Sequence, residues 1–246
     1  MEPIYRRQYT VTDNEVDCFG KLKPSMILFY AQDVAGSHCI ELGTDYDTMA
    51  ARQQFWAVIR QRIQVERLPQ RGEKLTVETW PMPTTRVAYP RATVAYDAQG
   101  NECFRIISLW VIMDLQTRAM ILPGKSGVDV AGLLRGGELA APGSLLPRSL
   151  SNQQRRTVRY SDLDRNGHMN NCRYMEWVGD LLASSFHREH TVSEFTVCYL
   201  SEAREAEQLS LHWEQDGDGI FRIEGTRWEE QSAGHSRVFA VQVQYR

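Results

Sequence analysis

Apolar and polar residues alternate along most of this chain, and the alternation predicts strands. In the closing segment "RVFAVQVQYR", Phe239, Val241, Val243 and Tyr245 share one face while Gln242 and Gln244 lie on the other. Residues 172–182 keep a different period. Tyr174, Trp177, Val178, Leu181 and Leu182 recur at three- and four-residue steps, which predicts a helix with one apolar stripe. Asn170 precedes this helix as the expected N-cap.

The same succession of patterns occurs twice. Set "VDCFGKLKPSMILFYAQDVAGS" (16–37) above "LDRNGHMNNCRYMEWVGDLLAS" (from Leu163), and a constant offset of 147 matches Asp17 with Asp164, Gly20 with Gly167, Asp33 with Asp180 and Ser37 with Ser184. Pro24, the counterpart of Asn171, suits a first helical turn because its missing N–H costs nothing there. Downstream, Leu75 meets Leu209 at an offset of 134, so the second copy has lost 13 residues between helix and strands. Turns are expected at Asp97–Asn101 in the first copy and near Ser232–Gly234 in the second.

Each copy is therefore expected to hold a strand, a long helix and about four antiparallel strands, whose curved sheet buries the helix's stripe. The fold class is α+β. Residues 123–155, rich in Gly, Pro and Ser, are expected to link an N-terminal domain (1–122) to a C-terminal one (156–246).

The two copies differ in their polar residues. Asn166 is matched by Phe19, His168 by Lys21 and Glu202 by Leu68, so only Asp17 of the first copy repeats the cluster of the second. A cluster that merely capped a helix would be needed twice, and the asymmetry points to chemistry in the C-terminal copy. Asp164, Asn166 and His168 alternate along an extended loop just before a helix N-terminus, where unpaired N–H groups favour developing negative charge. A carboxylate, an amide, an imidazole and helix N–H groups suit hydrolysis of an acyl group. Asp162, Asn170 and Asn171 are read as turn and cap residues, and Cys172 and Cys198 as packed thiols rather than nucleophiles.

Composition narrows the partners. The 246 residues are 42% hydrophobic and 24% charged, the profile of a globular protein, and the formal charge of −3 supplies no basic field for nucleic acid. Five scattered cysteines, never in a C-x-x-C pair, argue against a disulfide framework or a zinc ribbon. His38, His187, His190, His212 and His235 show no metal-ligand spacing, so no metal and no cofactor is expected. The Gly-Lys-Ser of "PGKSG" lacks the upstream glycine of a phosphate-binding loop. No apolar run long enough for a membrane span occurs, and the opening residues carry no apolar leader; a cytoplasmic protein is the expectation.

"YSDLDRNGHMNNCRYMEW" (160–177) resembles the D-x-N-x-H-(V/M)-N-N-x-x-Y segment of acyl–acyl carrier protein thioesterases, the plant FatA/FatB type and its bacterial relatives. "SLWVIMDLQTRAMILP" (108–123) is similar to that family's W-V-M-M-N-x-x-T-R-R strand, with Asp114 in place of the asparagine and Ala119 in place of the second arginine. The resemblance implies a tandem hotdog, two antiparallel sheets each curled around a long helix. It also implies a thioester hydrolase that releases free fatty acid from fatty acyl carrier protein in fatty acid biosynthesis. Its partner would be acyl carrier protein bearing a phosphopantetheine-linked acyl chain, with no nucleic acid and no membrane, and monomer and homodimer both remain open. The family's catalytic positions fall on Asp164, Asn166 and His168, and its downstream glutamate, 34 residues past the histidine, on Glu202. Ala203 stands where the family often has a cysteine, so a mechanism through that thiol is closed to this chain.

The family also implies that the first hotdog shapes the acyl pocket, with Met26, Phe29, Tyr30 and Trp56 as candidates for substrate binding. Arg6, Arg7, Arg155 and Arg156 are candidates for docking an acidic carrier. Glu202 is expected to activate water, Asn166 and the helix end to hold the carbonyl, and Asp164 either to orient His168 and the water or to attack the thioester itself. The rival readings are an acyl-coenzyme A thioesterase of the same fold, a non-catalytic acyl-binding module, and a dehydratase.

Overall fold

In the computed structural model, which describes residues 3–229 and 234–246, the alternating segments are strands and the three-and-four segments are helices. The chain divides into two compact units, residues 1–142 and 143–246.

The N-terminal unit runs β1 (Tyr5–Thr10), a 3₁₀ turn (Asp13–Glu15), α1 (Pro24–Glu41), α2 (Tyr46–Ala51), β2 (Gln54–Val65), β3 (Lys74–Pro81), β4 (Tyr89–Tyr96), β5 (Glu102–Asp114), β6 (Met120–Ile121) and α3 (Pro123–Ser126). Its strands pair antiparallel in the order β1-β3-β4-β5-β2, with β6 folded back on β5. Pro24 opens α1 at N1, as expected. Ile27, Leu28, Ala31, Val34, Ala35 and His38 form the buried face of α1, and Tyr30 packs its ring 4.5 Å from that of Tyr9 on β1. Each large aliphatic side chain buried in this way contributes about 1.5–3 kcal/mol. The β5–β6 hairpin turns at Asp114, whose Oδ1 accepts N–H bonds from Gln116 at 3.0 Å and Thr117 at 2.7 Å. An asparagine there offers the same acceptor, which explains the exchange of Asp for Asn.

The C-terminal unit runs β7 (Asn152–Thr157), a 3₁₀ turn (Tyr160–Asp162), α4 (Arg173–Gly179), α5 (Ser184–Glu189), β8 (Val192–Tyr199), β9 (Gln208–Gln215), β10 (Ile220–Glu229) and β11 (Gly234–Tyr245). Its antiparallel order, β8-β11-β10-β9-β7, repeats that of the first unit. The repetition extends to register. Tyr5 opposes Thr79 and Thr10 opposes Lys74; Asn152 opposes Trp213 and Thr157 opposes Gln208, which are the same pairs moved by 147 and 134. The deleted stretch is α2 with the outer end of β2, since Val192 at the start of β8 answers to Val58.

Three expectations need correction. The long helix holds only in the first unit; in the second it is broken into α4 and α5, with Leu181 and Leu182 in the turn between them. A continuous helix would give the Gly179 carbonyl to the N–H of Ala183, whereas it accepts the Leu182 N–H at 3.2 Å and has His187 Nε2 at 2.9 Å. Asn170 is not the N-cap of α4, which is Cys172; the Asn170 Oδ1 accepts the Cys172 N–H at 2.9 Å and shapes the turn that leads in. Finally, β7 begins at Asn152, inside the stretch expected as linker, because it continues the β1-like pairing on β9. Residues 123–151 otherwise hold only α3, whose Ser126 Oγ lies 2.7 Å from the Tyr89 hydroxyl of β4.

The turn at Asp97–Asn101 forms as expected, with the Asp97 N–H donating to the Asn101 carbonyl at 2.9 Å. Of the second turn, Ser232 and Ala233 lie outside the described residues.

Candidate active site

The loop carrying Asp164 is built by main-chain bonds that occur twice in the molecule. In the N-terminal unit the Asp17 N–H donates to the Lys21 carbonyl (2.8 Å), Gly20 N–H to Asp17 (3.0 Å) and Leu22 N–H to Pro69 (2.8 Å). In the C-terminal unit the Asp164 N–H donates to His168 (2.8 Å), Gly167 N–H to Asp164 (3.0 Å) and Met169 N–H to Ala203 (2.8 Å). Gly20 and Gly167 take the left-handed conformation, at φ of 79° and 75°, that the tight loop requires. The loop is thus an inherited piece of scaffold, and each copy tethers it to a second segment, at Leu68–Gln70 or Glu202–Arg204.

That tether brings the chemistry together. His168 bridges to Arg204 through the main chain, and its Nε2 lies 3.1 Å from Glu202 Oε2. The imidazole is largely buried, at 14% side-chain exposure, while Glu202 keeps 38%. Asp164 Oδ1 accepts the Asn166 N–H at 2.7 Å, and its Oδ2 lies 3.4 Å from Asn166 Nδ2. Asp17 does similar work in the other copy, where Oδ1 accepts from Phe19 (2.8 Å) and Lys21 (3.0 Å). Asp164 therefore holds the shape of the loop as well as carrying charge. Where the first copy has Phe19, Lys21 and Leu68, the second presents an amide, an imidazole and a carboxylate along one short loop and its tether.

Such a grouping can deprotonate a water molecule and orient it, since a carboxylate in contact with an imidazole forms an acid–base pair. Cys172 is buried, and burial pushes its thiol up to about 12, which removes it as a nucleophile at neutral pH. Cys198 is buried as well. Ala203 is fully buried and lends its carbonyl to Met169. Among the described residues, no three His, Cys, Asp or Glu side chains are grouped to hold a metal ion.

The candidate acyl-binding residues are spread through the N-terminal unit. On α1, Tyr30 is fully buried, Met26 is half-buried, and Phe29 is 47% exposed on the outer side of the helix. Trp56 packs with Met49, Tyr89, Ile112 and Val128 and donates its Nε1–H to the Thr44 carbonyl at 2.9 Å. A cavity of about 160 Å³ in this unit is lined by Trp80, Val94, Ile107, Arg135 and Leu139 among others, and by none of the four. Of the candidate docking arginines, Arg6 pairs with Glu78 (2.6 Å), Arg7 with Asp33 (2.9 Å) and Arg156 with Asp180 (2.7 Å), which neutralises three of the four. Arg155 is exposed on β7.

A family model described as the acyl-ACP thioesterase N-terminal domain matches residues 2–122, and one described as the C-terminal domain matches residues 147–242. This chain belongs to the acyl-ACP thioesterase family. It is 26% identical over 215 residues to a chloroplastic dodecanoyl-acyl-carrier-protein hydrolase of Cinnamomum camphora, and 25% identical over 214 residues to the corresponding protein of Umbellularia californica. Each match covers 81% of this chain, and the chain spans 56% of the length of each of these relatives. Its fold matches the crystal structure of an acyl-ACP thioesterase from Bacteroides thetaiotaomicron with a TM-score of 0.89, at 24% identity over 99% of this chain and 98% of that one. It matches a 12:0-ACP thioesterase from Umbellularia californica with a TM-score of 0.82, at 23% identity over 100% and 98%. The tandem hotdog expected from the motifs is therefore the fold of this acyl-ACP thioesterase family member.

One neighbour of the site went unread in the sequence. Arg227 on β10 donates to Ser201 Oγ at 2.8 Å and to the main-chain carbonyl of Glu202. In sequence it sits in "TRWEE", a charged run like any solvated strand end, and only the strand pairing reveals what it faces.

Proposed function

We propose that this chain hydrolyses the thioester joining a fatty acyl group to acyl carrier protein, releasing the free acid and the holo-carrier. The observation that carries the reading is the 3.1 Å contact between His168 Nε2 and Glu202 Oε2, which joins two residues whose counterparts in the first copy are Lys21 and Leu68. In the proposed mechanism Glu202, paired with His168, takes a proton from water. That water attacks the thioester carbon, the Asn166 amide holds the carbonyl oxygen, and the thiol leaves as a proton is returned to it; the N–H groups of Cys172, Arg173 and Met175 at the start of α4 are already donated within their own turn. Asp164 fixes the loop and orients the water. In the competing route its carboxylate attacks first and forms a mixed anhydride that water then opens.

The N-terminal unit, whose loop lacks this chemistry, is assigned the acyl chain, with Met26, Tyr30 and Trp56 as its candidate contacts. Phe29 is the weakest of the original four because half its surface faces outward. The cytoplasm is the proposed compartment. All five cysteines are thiols outside any disulfide, as a reducing environment keeps them, and no helix among the described residues is long and apolar enough to cross a membrane.

Mass spectrometry of the acids released from a panel of acylated carrier proteins, run beside the matching coenzyme A thioesters, tests the substrate. Turnover on coenzyme A thioesters alone overturns the carrier assignment, and tight acyl retention without turnover on either overturns the enzyme. A single turnover in labelled water separates the routes, because isotope in the Asp164 carboxylate appears only if that carboxylate attacks.

A further inference from the structure

Behind the two loops the molecule repeats one ion-paired carboxylate but exchanges its arginine. In the N-terminal unit Arg67, just before Leu68, places Nη2 at 2.7 Å from Glu73 Oε2 and 3.0 Å from Asp97 Oδ2. In the C-terminal unit Glu73 is retained as Glu207, and the position of Arg67 is Ser201. Asp97 follows Tyr96, which pairs with Thr76; Thr226 pairs with Ser210, the counterpart of Thr76, so the place of Asp97 is taken by Arg227. The guanidinium has moved from the loop to the strand. Its Nη1 lies 3.1 Å from Glu207 Oε1 and 3.0 Å from Oε2, and its Nη2 reaches Ser201 Oγ and the Glu202 carbonyl.

The relocation changes what the arginine holds. Arg67 ties a glutamate to an aspartate; Arg227 ties a glutamate to the main chain of the residue whose side chain meets His168. β8 ends at Tyr199, and the N–H groups of Leu200 and Ser201 both converge on the single carbonyl of Val238, as those of Glu66 and Arg67 converge on the Cys103 carbonyl in the first copy; in the second copy the Arg227 guanidinium also holds this stretch. Beyond this irregularity Glu202 is no longer in the ladder. A guanidinium is a rigid planar fork, so clamping Nη1 on Glu207 fixes the direction of Nη2.

We propose that Arg227 is a positioning residue for Glu202, holding the Ser201–Glu202 backbone so that the carboxylate meets His168. This rests on the reading of Glu202 as part of the hydrolytic site.

The test compares wild type with Arg227→Met, Arg227→Lys and Glu202→Gln in carrier-thioester hydrolysis, thermal melting and NMR of the His168 ring. Arg227→Met is expected to lower kcat by about ten- to hundred-fold with KM changed less than about two-fold, as a small misplacement of a catalytic group does. Arg227→Lys leaves a cation for Glu207 but not the second arm of the fork, so melting returns toward wild type while kcat stays low. Full kcat in Arg227→Met, or recovery of kcat along with melting in Arg227→Lys, overturns the proposal. The ring resonances of His168 are expected to move in Arg227→Met as they do in Glu202→Gln, and unmoved resonances overturn it equally. If wild type hydrolyses no thioester, the functional reading falls and the His168 resonances still decide the placement of Glu202.

Discussion

Asp164 and Asp17 occupy the same place in duplicated loops, and this gives the charge of Asp164 an internal control. Replacing either by asparagine keeps a carbonyl oxygen for the loop N–H groups and removes the negative charge. The structural cost is the difference between charged and neutral acceptors, about 1 kcal/mol per bond. Asp164 accepts one main-chain bond at Oδ1 and Asp17 two, so Asp164→Asn should cost about 1 kcal/mol and Asp17→Asn about 2 kcal/mol as upper figures for these partly exposed loops. For a chain of this size that lowers the melting temperature by about 2–4 °C per kcal/mol. Turnover should separate the two completely. Loss of a charge that orients or attacks costs about 10²–10⁴ in kcat, whereas Asp17→Asn should leave kcat within about two-fold. Circular dichroism melting and timed release of free acid from an acylated carrier read both quantities on the same preparations. If Asp164→Asn retains the activity of Asp17→Asn, Asp164 is a loop former like its twin, and the hydrolytic reading of its carboxylate is wrong.

His168→Ala and Glu202→Gln should each reduce kcat by about 10²-fold, and the double variant should be little worse than either, because groups acting as one acid–base unit are not additive; a multiplicative loss would show that they act separately. Gly225→Ala should destabilise the C-terminal unit by about 1–3 kcal/mol in chemical denaturation, since the added methyl would lie 2.0 Å from the Phe239 ring, which is fully buried; an unchanged midpoint would mean that the ring has room to move. Burial raises the Cys172 thiol from its ordinary value to about 12, so the thiol that stabilises the fold is protonated below pH 9 and that contribution is lost as pH rises from 9 toward 12. Alkylation at pH 8 followed by peptide mass spectrometry should modify exposed Cys18 and spare Cys172, with turnover unaffected; rapid loss of activity with labelling at Cys172 would return it to the list of nucleophiles.

How far the sequence could be read follows from the range of the interactions involved. The duplicated loop was legible because its constraints are local: Asp, Gly and the spacing between them satisfy N–H groups two to four residues away, so both copies had to keep them. Register was legible for the same reason, since loop and hairpin lengths transmit it along the chain, and the step from 147 to 134 marks where α2 was lost. The break between α4 and α5 was not legible, because Leu181 and Leu182 continue the apolar stripe while the break is stabilised by His187 reaching back to Gly179. Which of Met26, Phe29, Tyr30 and Trp56 would meet an acyl chain was not legible, because apolar residues on α1 and β2 serve equally well as core, and Trp56 packs with Met49 of α2. Arg227 was hidden for the opposite reason to the loop. Its partners, Glu207, Ser201 and Glu202, lie 20 to 26 residues away and become its neighbours only once β10 pairs with β9. A duplicated fold supplies the missing reference, because the arginine that the sequence shows leaving position 67 of one copy is matched, in the structure, by an arginine on β10 of the other. Changes that exchange partners around a retained carboxylate are thus the signal by which a duplicated protein reveals the supports of the half that carries the candidate site.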